Sequence, residues 1–575
     1  MEKVILLDEA GLSLEDVCKI VKKNYQLKLS EKVKERIKLS RKALEKMVES
    51  GEKIYGITTG FGALRDIVIP EKDATTLQEN LIRSHSVGVG EPAPDEYVKA
   101  MMVLRVAALA QGNSGCQLQT LENLIQMINK NALPIIPSKG SVGASGDLAP
   151  LSHMALAMIG EGENNLKFQG KIYDAKEGLK AAGIPITRLS YKEGLALNNG
   201  AQFSAGIACM VLHQAQNLLE NAVIAASLSM EALKAVAQQF DERVHNARNH
   251  PGQIEIARLL RVLTKGSIFV KKHDEFYTCK TPNCGYYYEA AIGDPSHNIP
   301  KDTPFTSLPE TWGCPNCQGP KQNFEKQWPK VQDDYSLRCT PQVLGPIKET
   351  LDFCRKIVSR EINAATDNPL IFITKNDPLE CDIISGGNFH GEPIALAMDY
   401  LAIAMAEVGN ISERRSATLI DEKRNQGLGL FLIPESELGL SSGYMMPQYT
   451  AAALVSENKT LATPASVDSI PTSDEAEDHV SMSPIAARKA AKILENLEYI
   501  LAIEMLLAAQ AISLRCAIQK VQPEKALGAK TREVYKQIRK KVPQLTKDRI
   551  LYPEINLLAK MIHDGALVEE PLFRN

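Results

Sequence analysis

A mainly α protein, a bundle of long helices carrying a small metal-bound β insertion, is the fold class that the sequence predicts. Three observations predict it. Long stretches carry apolar residues at helical spacing, strand-like alternation is scarce, and one region near 274–330 breaks both patterns with clustered cysteines, prolines and aromatics.

The helical elements follow in chain order. Ser30 precedes a lysine- and glutamate-rich segment with Val33, Ile37, Leu44 and Met47 on one face and Gly51 at its close, an amphipathic helix with a start and a stop signal. Residues 97–111 and 115–129 repeat the pattern, and Ser204 to Gln239 is a long run rich in Ala, Leu and Met. Ser483-Pro484 opens another helix, with Ile493, Leu497, Ile500, Leu501 and Leu507 recurring at helical spacing. Helices apolar around most of their circumference belong in a bundle core or a subunit interface. Region 274–330 holds both tryptophans, Trp312 and Trp328, and Tyr286-Tyr287-Tyr288. The helical pattern stops before it and resumes after it, so it reads as an inserted small domain.

Composition bounds the function. A chain of 575 residues can bury a large core and form more than one domain. A formal net charge of −3 leaves no footprint for nucleic acid or an anionic membrane. The first ten residues carry Glu2, Asp8 and Glu9 and no long apolar run, so a secretory signal is not expected. No stretch offers the ~20 charge-poor apolar residues of a membrane span, and the expected compartment is the cytoplasm. Seven of the 11 cysteines (Cys18, Cys116, Cys209, Cys339, Cys354, Cys381, Cys516) are scattered and read as small buried hydrophobes.

Three glycine-rich loops punctuate the helical part: Tyr55 to Gly62 (YGITTGFG), Gly140 to Asp147 (GSVGASGD) and Ser385 to His390 (SGGNFH). Such loops bring backbone close to a ligand, but none has the spacing of a phosphate-binding loop. The second continues as GSVGASGDLAPLSHMALAMIGEG over 140–162. Six further blocks accompany it: YGITTGFG at 55–62, LQENLIRSHSVGVGEP at 77–92, EGLALNNGAQ at 193–202, VQDDYSLRCTPQ at 331–342, SGGNFHGEP at 385–393 and SENKTLATPASVDSIPTSDEAEDHVSM at 456–482. Together these closely resemble, in order, the signature blocks of the histidine/phenylalanine/tyrosine ammonia-lyase family. The resemblance spans nearly the whole chain outside the insertion. It implies the long-helix bundle of the ammonia-lyase type, non-oxidative loss of ammonia from an amino acid, and a homotetramer whose active sites draw on several subunits.

The resemblance also assigns an electrophile to Ala144-Ser145-Gly146. Attack of the Gly146 nitrogen on the Ala144 carbonyl closes a five-membered ring. Loss of water and of the Ser145 hydroxyl then leaves 4-methylidene-imidazol-5-one (MIO), which needs no external cofactor. Elimination further requires a base for a weakly acidic β-proton and an anchor for the carboxylate. Tyr55 resembles the family's loop tyrosine and would be the base. Arg338 resembles the carboxylate anchor, a role that suits a planar guanidinium fork. Asn199 and Tyr335 resemble the pair that hydrogen-bonds the MIO and the substrate amine, and Gln332 and Phe389 resemble residues beside the same ring.

His85 and Glu477 carry the substrate expectation. A histidine at 85 is typical of the histidine- and tyrosine-acting branches, and Glu477 resembles the histidine branch, where aromatic-substrate enzymes tend to have Gln. A carboxylate pairs with an imidazole N–H, whereas a phenyl ring leaves it unsatisfied. L-Histidine, giving urocanate, is the favoured substrate. Some residues point elsewhere. Thr58-Thr59 looks more like the tyrosine or aminomutase branches, Gly115-Cys116-Gln117 lacks an expected arginine, Glu413-Arg414-Arg415 continues without the usual second basic residue, and Asn198 and Asp474-Glu475 are unusual. A tyrosine ammonia-lyase or an aromatic 2,3-aminomutase on the same scaffold is the alternative.

The remaining four cysteines lie in the insertion. Cys279 and Cys284 are followed by Cys314-Pro315-Asn316-Cys317, and four thiolates at this spacing suit a tetrahedral metal. The segment's Cys-Gly-Tyr, Gly-Asp-Pro, Leu-Pro-x-x-Trp and Cys-Pro-x-Cys elements resemble rubredoxin, with two extra residues in the first cysteine pair. The resemblance implies iron, and zinc is the alternative. The expected domains are therefore a lyase body over 1–270 and 330–575, interrupted by a rubredoxin-like domain over 274–328. Elimination of ammonia needs no electron transfer, so a redox partner of the insertion, or a redox-sensing protein with the lyase body as scaffold, forms a separate alternative.

Overall fold

A computed structural model describes all residues except 1–2, 50–53, 61–66, 71–72, 271–275, 283, 328–330, 375–379, 569 and 574–575. Gly51, Phe61, Gly62 and Trp328 lie outside the described residues. The fold is mainly α, as the sequence predicts, and its elements form two compact units. Unit 1 comprises 1–213, 352–402 and 463–491; unit 2 comprises 214–351, 403–462 and 492–575.

In unit 1 the predicted first helix spans Glu31–Glu49. The Ser30 hydroxyl accepts the Val33 N–H at 3.3 Å, and Val33, Ile37 and Leu44 are buried. Leu44 joins Ile54, Ile57, Ile371 and Cys381 in one cluster. The two isoleucines flanking Tyr55 are thus tied to the core by roughly 1.5–3 kcal/mol of burial each. The helices expected at 97–111 and 115–129 are Asp95–Leu109 and Leu118–Lys130.

Unit 1 also contains short strands that the sequence pattern did not reveal. Val4–Leu7 pairs in parallel with Gln26–Leu29, and Val89–Pro92 pairs antiparallel with Pro137–Lys139 just before the Gly140 loop. Leu370–Ile373 pairs with Cys381–Ile384. At two to four residues each, strands of this kind are too short to display a periodicity.

Unit 2 gathers its helices around a buried ion pair. Arg415 and Glu504 are fully buried, with their atoms as close as 2.5 Å, and Glu504 also accepts the Ser229 and Ser412 hydroxyls. The long run expected to reach Gln239 is a helix over Gln202–Ala232. It stops where Lys234 turns into the left-handed region (φ +52°) and where Arg515 takes the Ala232 carbonyl at 3.1 Å.

Two helices correct the membrane expectation on length and composition. Glu392–Ile420 and Ser483–Ile518 each contain an apolar window long enough to cross a bilayer. Those windows are 72% and 83% buried within the protein, which accounts for their apolarity by packing. Cys18 and Cys339 are half-buried rather than buried, whereas the other five scattered cysteines are buried.

The cysteine-rich segment belongs to unit 2. Its sheet has the order Phe324–Gln327, Phe276–Cys279, Tyr287–Glu289, antiparallel throughout, with Phe324 opposite Cys279. Its core is Tyr286, Tyr288, Leu308 and Trp312 packed against the cysteines. The Trp312 indole N–H donates to Asp294 at 2.8 Å and the Tyr288 hydroxyl to the Thr303 carbonyl at 2.7 Å, so both buried aromatics satisfy their polar tips.

Candidate active site and four-cysteine centre

The tripeptide Ala144-Ser145-Gly146 sits where several segments of unit 1 converge. Gly146 has φ +74°, and a Cβ there would lie 2.3 Å from the Gly200 carbonyl oxygen, so only glycine fits. Gly143 also has a left-handed φ, +71°, with a Cβ position 2.3 Å from the Ser481 hydroxyl. The loop is held by Met482 N–H to the Val142 carbonyl (2.8 Å), Ser481 Oγ to the Gly143 carbonyl (2.9 Å) and Gly391 N–H to the same carbonyl (3.2 Å). The third glycine-rich loop and the start of the Ser483–Ile518 helix therefore both clamp the tripeptide loop.

Asp147 anchors the loop from below. Its carboxylate is buried and accepts the Ser204 N–H (2.7 Å) and the hydroxyls of Ser204 (3.0 Å) and Ser141 (3.1 Å). Burial nonetheless pushes its pKa up to about 6, against the lowering effect of those donors. Glu361 is pushed up to about 7, by burial first and by the Asp147 charge second.

Asn199 follows the Glu193–Asn198 helix in extended conformation. Its Nδ2 donates to the Ser145 carbonyl at 2.8 Å, while its buried Oδ1 has no hydrogen-bond partner among the described residues. The fully buried Arg105 donates to the Asn199 carbonyl at 2.8 Å and to Gln202 at 2.7 Å. Arg105 was not singled out from the sequence; its signal was one cation inside the apolar run Met101 to Leu109.

Glu477 reaches the tripeptide from the far end of the sequence. Its Oε1 accepts the Ser145 hydroxyl at 2.6 Å and its Oε2 the Thr472 hydroxyl at 3.1 Å. It is half-buried, not a member of a solvated acidic run. His85 is half-buried too, with Nδ1 2.9 Å from the Ser84 hydroxyl. Burial lowers the His85 pKa, while the Leu81 carbonyl and the Glu477 charge oppose that shift.

Tyr55 lies half-buried in a turn in which the Ile54 N–H meets the Thr58 hydroxyl at 2.8 Å. Gln78, fully buried, donates to the Gly56 carbonyl (3.4 Å) and accepts the Leu195 N–H (3.1 Å), linking the tyrosine turn to the Asn199 helix. Phe389 is half-buried in the loop whose Gly391 binds Gly143. Unit 1 thus brings together Ala144, Ser145, Gly146, Asn199, His85 and Glu477, with the Tyr55 and Phe389 loops tied to the same framework.

Gln332, Tyr335 and Arg338 belong to unit 2. Tyr335–Arg338 is one helical turn, and Arg338 Nη1 donates to Gln332 Oε1 at 2.6 Å. The guanidinium lies 4.9 Å from the centre of the exposed Tyr335 ring. Arg338 Nε has no acceptor among the described residues, which leaves a donor for an anion. These residues line an open pocket of ≈ 400 Å³ to which Arg414 and Arg424 add positive charge. Sequence pattern assigns neither arginine to the site: Arg414 stands out only within Glu413-Arg414-Arg415, Arg424 not at all, and both lie far from Arg338 along the chain.

Cys279, Cys284, Cys314 and Cys317 converge as expected from their spacing. All four Sγ atoms lie within 4.8 Å of one another, with Cys279 to Cys317 at 3.6 Å and Cys284 to Cys314 at 3.4 Å. A tetrahedral metal with thiolates at ~2.3 Å needs S···S separations of about 3.8 Å, and a disulfide needs about 2.05 Å. The donor set fits a metal.

Residues 12–540 match the aromatic amino acid lyase family. The chain is 43% identical over 567 residues to a histidine ammonia-lyase of Caldanaerobacter subterraneus subsp. tengcongensis, covering 99% of this chain and 98% of that one. Among solved structures it is similar to histidine ammonia-lyase from Trypanosoma cruzi, at 35% identity and TM-score 0.80 over 98% of this chain and 94% of that one. It is similar also to tyrosine aminomutase from Streptomyces globisporus, at 32% identity and TM-score 0.83 over 98% of both chains.

Proposed function

The chain belongs to the aromatic amino acid lyase family and is an ammonia-lyase, a carbon–nitrogen lyase, and from that premise we propose that its substrate is L-histidine and its products urocanate and ammonia. The observation that carries the substrate reading is the Glu477 carboxylate. It is 2.6 Å from the Ser145 hydroxyl, and its charge acts on His85. Dehydration of Ser145 removes that hydroxyl and frees Oε1 for another donor. An imidazole N–H supplies one, and a phenyl ring does not.

The electrophile we propose is MIO, formed from Ala144-Ser145-Gly146. When formed, it supplies an electron-poor centre that makes the substrate amine a leaving group. Support for it comes from the glycine-only site at 146 and from Asn199 Nδ2 on the Ser145 carbonyl. The unused Asn199 Oδ1 is an acceptor suited to the substrate ammonium. Tyr55 takes the β-proton, Arg338 binds the carboxylate through its fork, Tyr335 joins Asn199 in hydrogen-bonding the MIO and the amine, and Gln332, bonded to Arg338, lies beside the same ring. Phe389 flanks the ring, and His85 hydrogen-bonds the imidazole end.

The assembly we propose is a cytoplasmic homotetramer whose active sites combine residues of several copies. The domain limits remain a lyase body over 1–270 and 330–575 with a rubredoxin-like domain over 274–328, whose four cysteines hold iron or, alternatively, zinc. Thr58-Thr59 and the likeness to a tyrosine aminomutase favour a second reading, in which the amine returns to the β-carbon.

One experiment separates these readings. The protein is incubated with histidine, tyrosine, phenylalanine and related imidazole amino acids, and products are identified by mass. Urocanate is expected; no turnover of histidine would sink the substrate reading, and a β-amino acid would establish the mutase. The intact chain should weigh two waters less than its sequence, and Ser145→Ala should abolish that loss.

A further inference from the structure

The four-cysteine centre lies in the same unit as the arginine proposed to bind the substrate carboxylate. We propose that the metal-bound module positions the Gln332–Arg338 segment, so that metal occupancy and carboxylate affinity are linked. This rests on the proposed anchoring role of Arg338.

Two tethers carry the inference. The first starts at Tyr287, in the module's central sheet. Lys234 Nζ lies 3.4 Å from the centre of the Tyr287 ring and 4.9 Å from that of Phe276, so one buried cation is shared by two module aromatics. Lys234 forms the left-handed turn that ends the Gln202–Ala232 helix. Two residues on, the Val236 N–H donates to Asp333 at 2.7 Å, and Gln239 Nε2 donates to the same oxygen at 2.6 Å. Asp333 is buried and adjoins Gln332, the partner of Arg338.

The second tether starts at the metal knuckle itself. A Cβ on Gly285, next to Cys284, would lie 3.3 Å from the Gly427 carbonyl oxygen and 3.7 Å from Ile518. The turn preceding Gly427 is held by Arg515, which donates to the Asn425 (2.9 Å) and Gln426 (2.7 Å) carbonyls and to the carbonyl of Ala232, two residues before Lys234 of the first tether. From that turn Arg424 pairs with Asp334 at 2.8 Å. Asp334 opens the helical turn that carries Tyr335 and Arg338, accepting the Leu337 and Arg338 N–H groups on its carbonyl. The two tethers therefore grip consecutive residues, 333 and 334, between the two partners of the Gln332–Arg338 bond.

A metal orders the module because a core this small gains stability from four thiolate bonds. Without the metal, the Gly285 knuckle and the Tyr287 strand lose their fixed position. The contacts on Lys234 and Gly427 loosen, and the anchor segment loses both supports. Coupling of this kind is reciprocal for binding. A bound carboxylate tightens metal, and bound metal tightens carboxylate.

The test uses full-length protein loaded with zinc. Lys234→Met should leave the zinc content unchanged and raise KM about tenfold with kcat within about twofold, the scale of a typical coupling, while Lys234→Arg should stay near wild type. In a second measurement, zinc is withdrawn by competition with a chromophoric chelator, with and without imidazole-4-propionate, a carboxylate that has no amine to lose. The ligand should raise zinc affinity about tenfold in wild type and by much less in Lys234→Met. An unchanged KM in zinc-replete Lys234→Met, or zinc affinity indifferent to the ligand when calorimetry shows that the ligand binds, overturns the coupling. If wild type turns over no amino acid and binds no carboxylate, the functional reading fails, and the coupling fails with it.

Discussion

Gly146 and Glu477 show how much single atoms decide in this protein. At Gly146, the positive φ and the Gly200 carbonyl both exclude a side chain. Gly146→Ala is expected to leave Ser145 unprocessed, visible as an intact mass without loss of water, and to lower stability by roughly 1–3 kcal/mol, the range for a strained backbone position. For Glu477, Gln keeps the shape and removes the charge. Glu477→Gln should cut kcat/KM for histidine by about 10- to 100-fold, the value of a hydrogen bond to a charged group, and change turnover of tyrosine far less. Equal losses on both substrates would remove Glu477 from ring recognition. Both residues were legible in the sequence, because each lies inside a long matching block. Arg105, Gln78 and Asp147 were not singled out as site residues. Their roles lie in which carbonyls and amides they meet, and these come from segments up to 117 residues away.

Helix existence followed from periodicity, but helix ends did not. The Gln202–Ala232 helix stops seven residues before the apolar run does, since Arg515 and the Lys234 turn take over its carbonyl end. Sequence pattern contains no information about a distant arginine. The same helix carries a titration that can be measured. Glu231 is buried, accepts the Thr531 hydroxyl and the Gly528 N–H at 2.8 Å each and also the Ser267 hydroxyl, yet burial pushes its pKa up to about 7. Its folded pKa is raised above the unfolded carboxyl value, so the folded state holds the proton longer. Stability should therefore fall as pH rises from about 4.5 towards 7, by up to ~3 kcal/mol from this group, and level off above. Glu231→Gln should flatten that slope in denaturant titrations across the range. An unchanged slope would assign the pH dependence to other groups.

Across the whole molecule, candidate residues fall into two sets, one per unit. Ser145, Asn199, His85 and Glu477 lie in unit 1, whereas Gln332, Tyr335, Arg338 and the four cysteines lie in unit 2. If active sites combine residues of several copies, Ser145→Ala and Arg338→Ala subunits that are inactive alone should regain part of the wild-type rate when unfolded and reassembled together. No recovery, despite tetramers by sedimentation, would place all site residues in one chain. Unit 2 also depends on Arg415 and Glu504, an ion pair at 0% exposure. Arg415→Met leaves a buried carboxylate with only hydroxyl donors and should cost roughly 3–5 kcal/mol, read as a lowered midpoint in denaturant. The arginine was visible in Glu413-Arg414-Arg415, but its partner 89 residues later was not.

By itself the sequence determined the mainly α class, the reaction family and the four clustered thiols. Each of these is written in local spacing or in contiguous blocks, which survive without knowledge of the fold. Only the tertiary structure decided that Glu477 meets Ser145, that Arg105 holds Asn199, and that the cysteine module leans on the turns gripping Asp333 and Asp334. Those are contacts between residues far apart in the chain, set by helix ends and packing, and no periodicity along one segment encodes them.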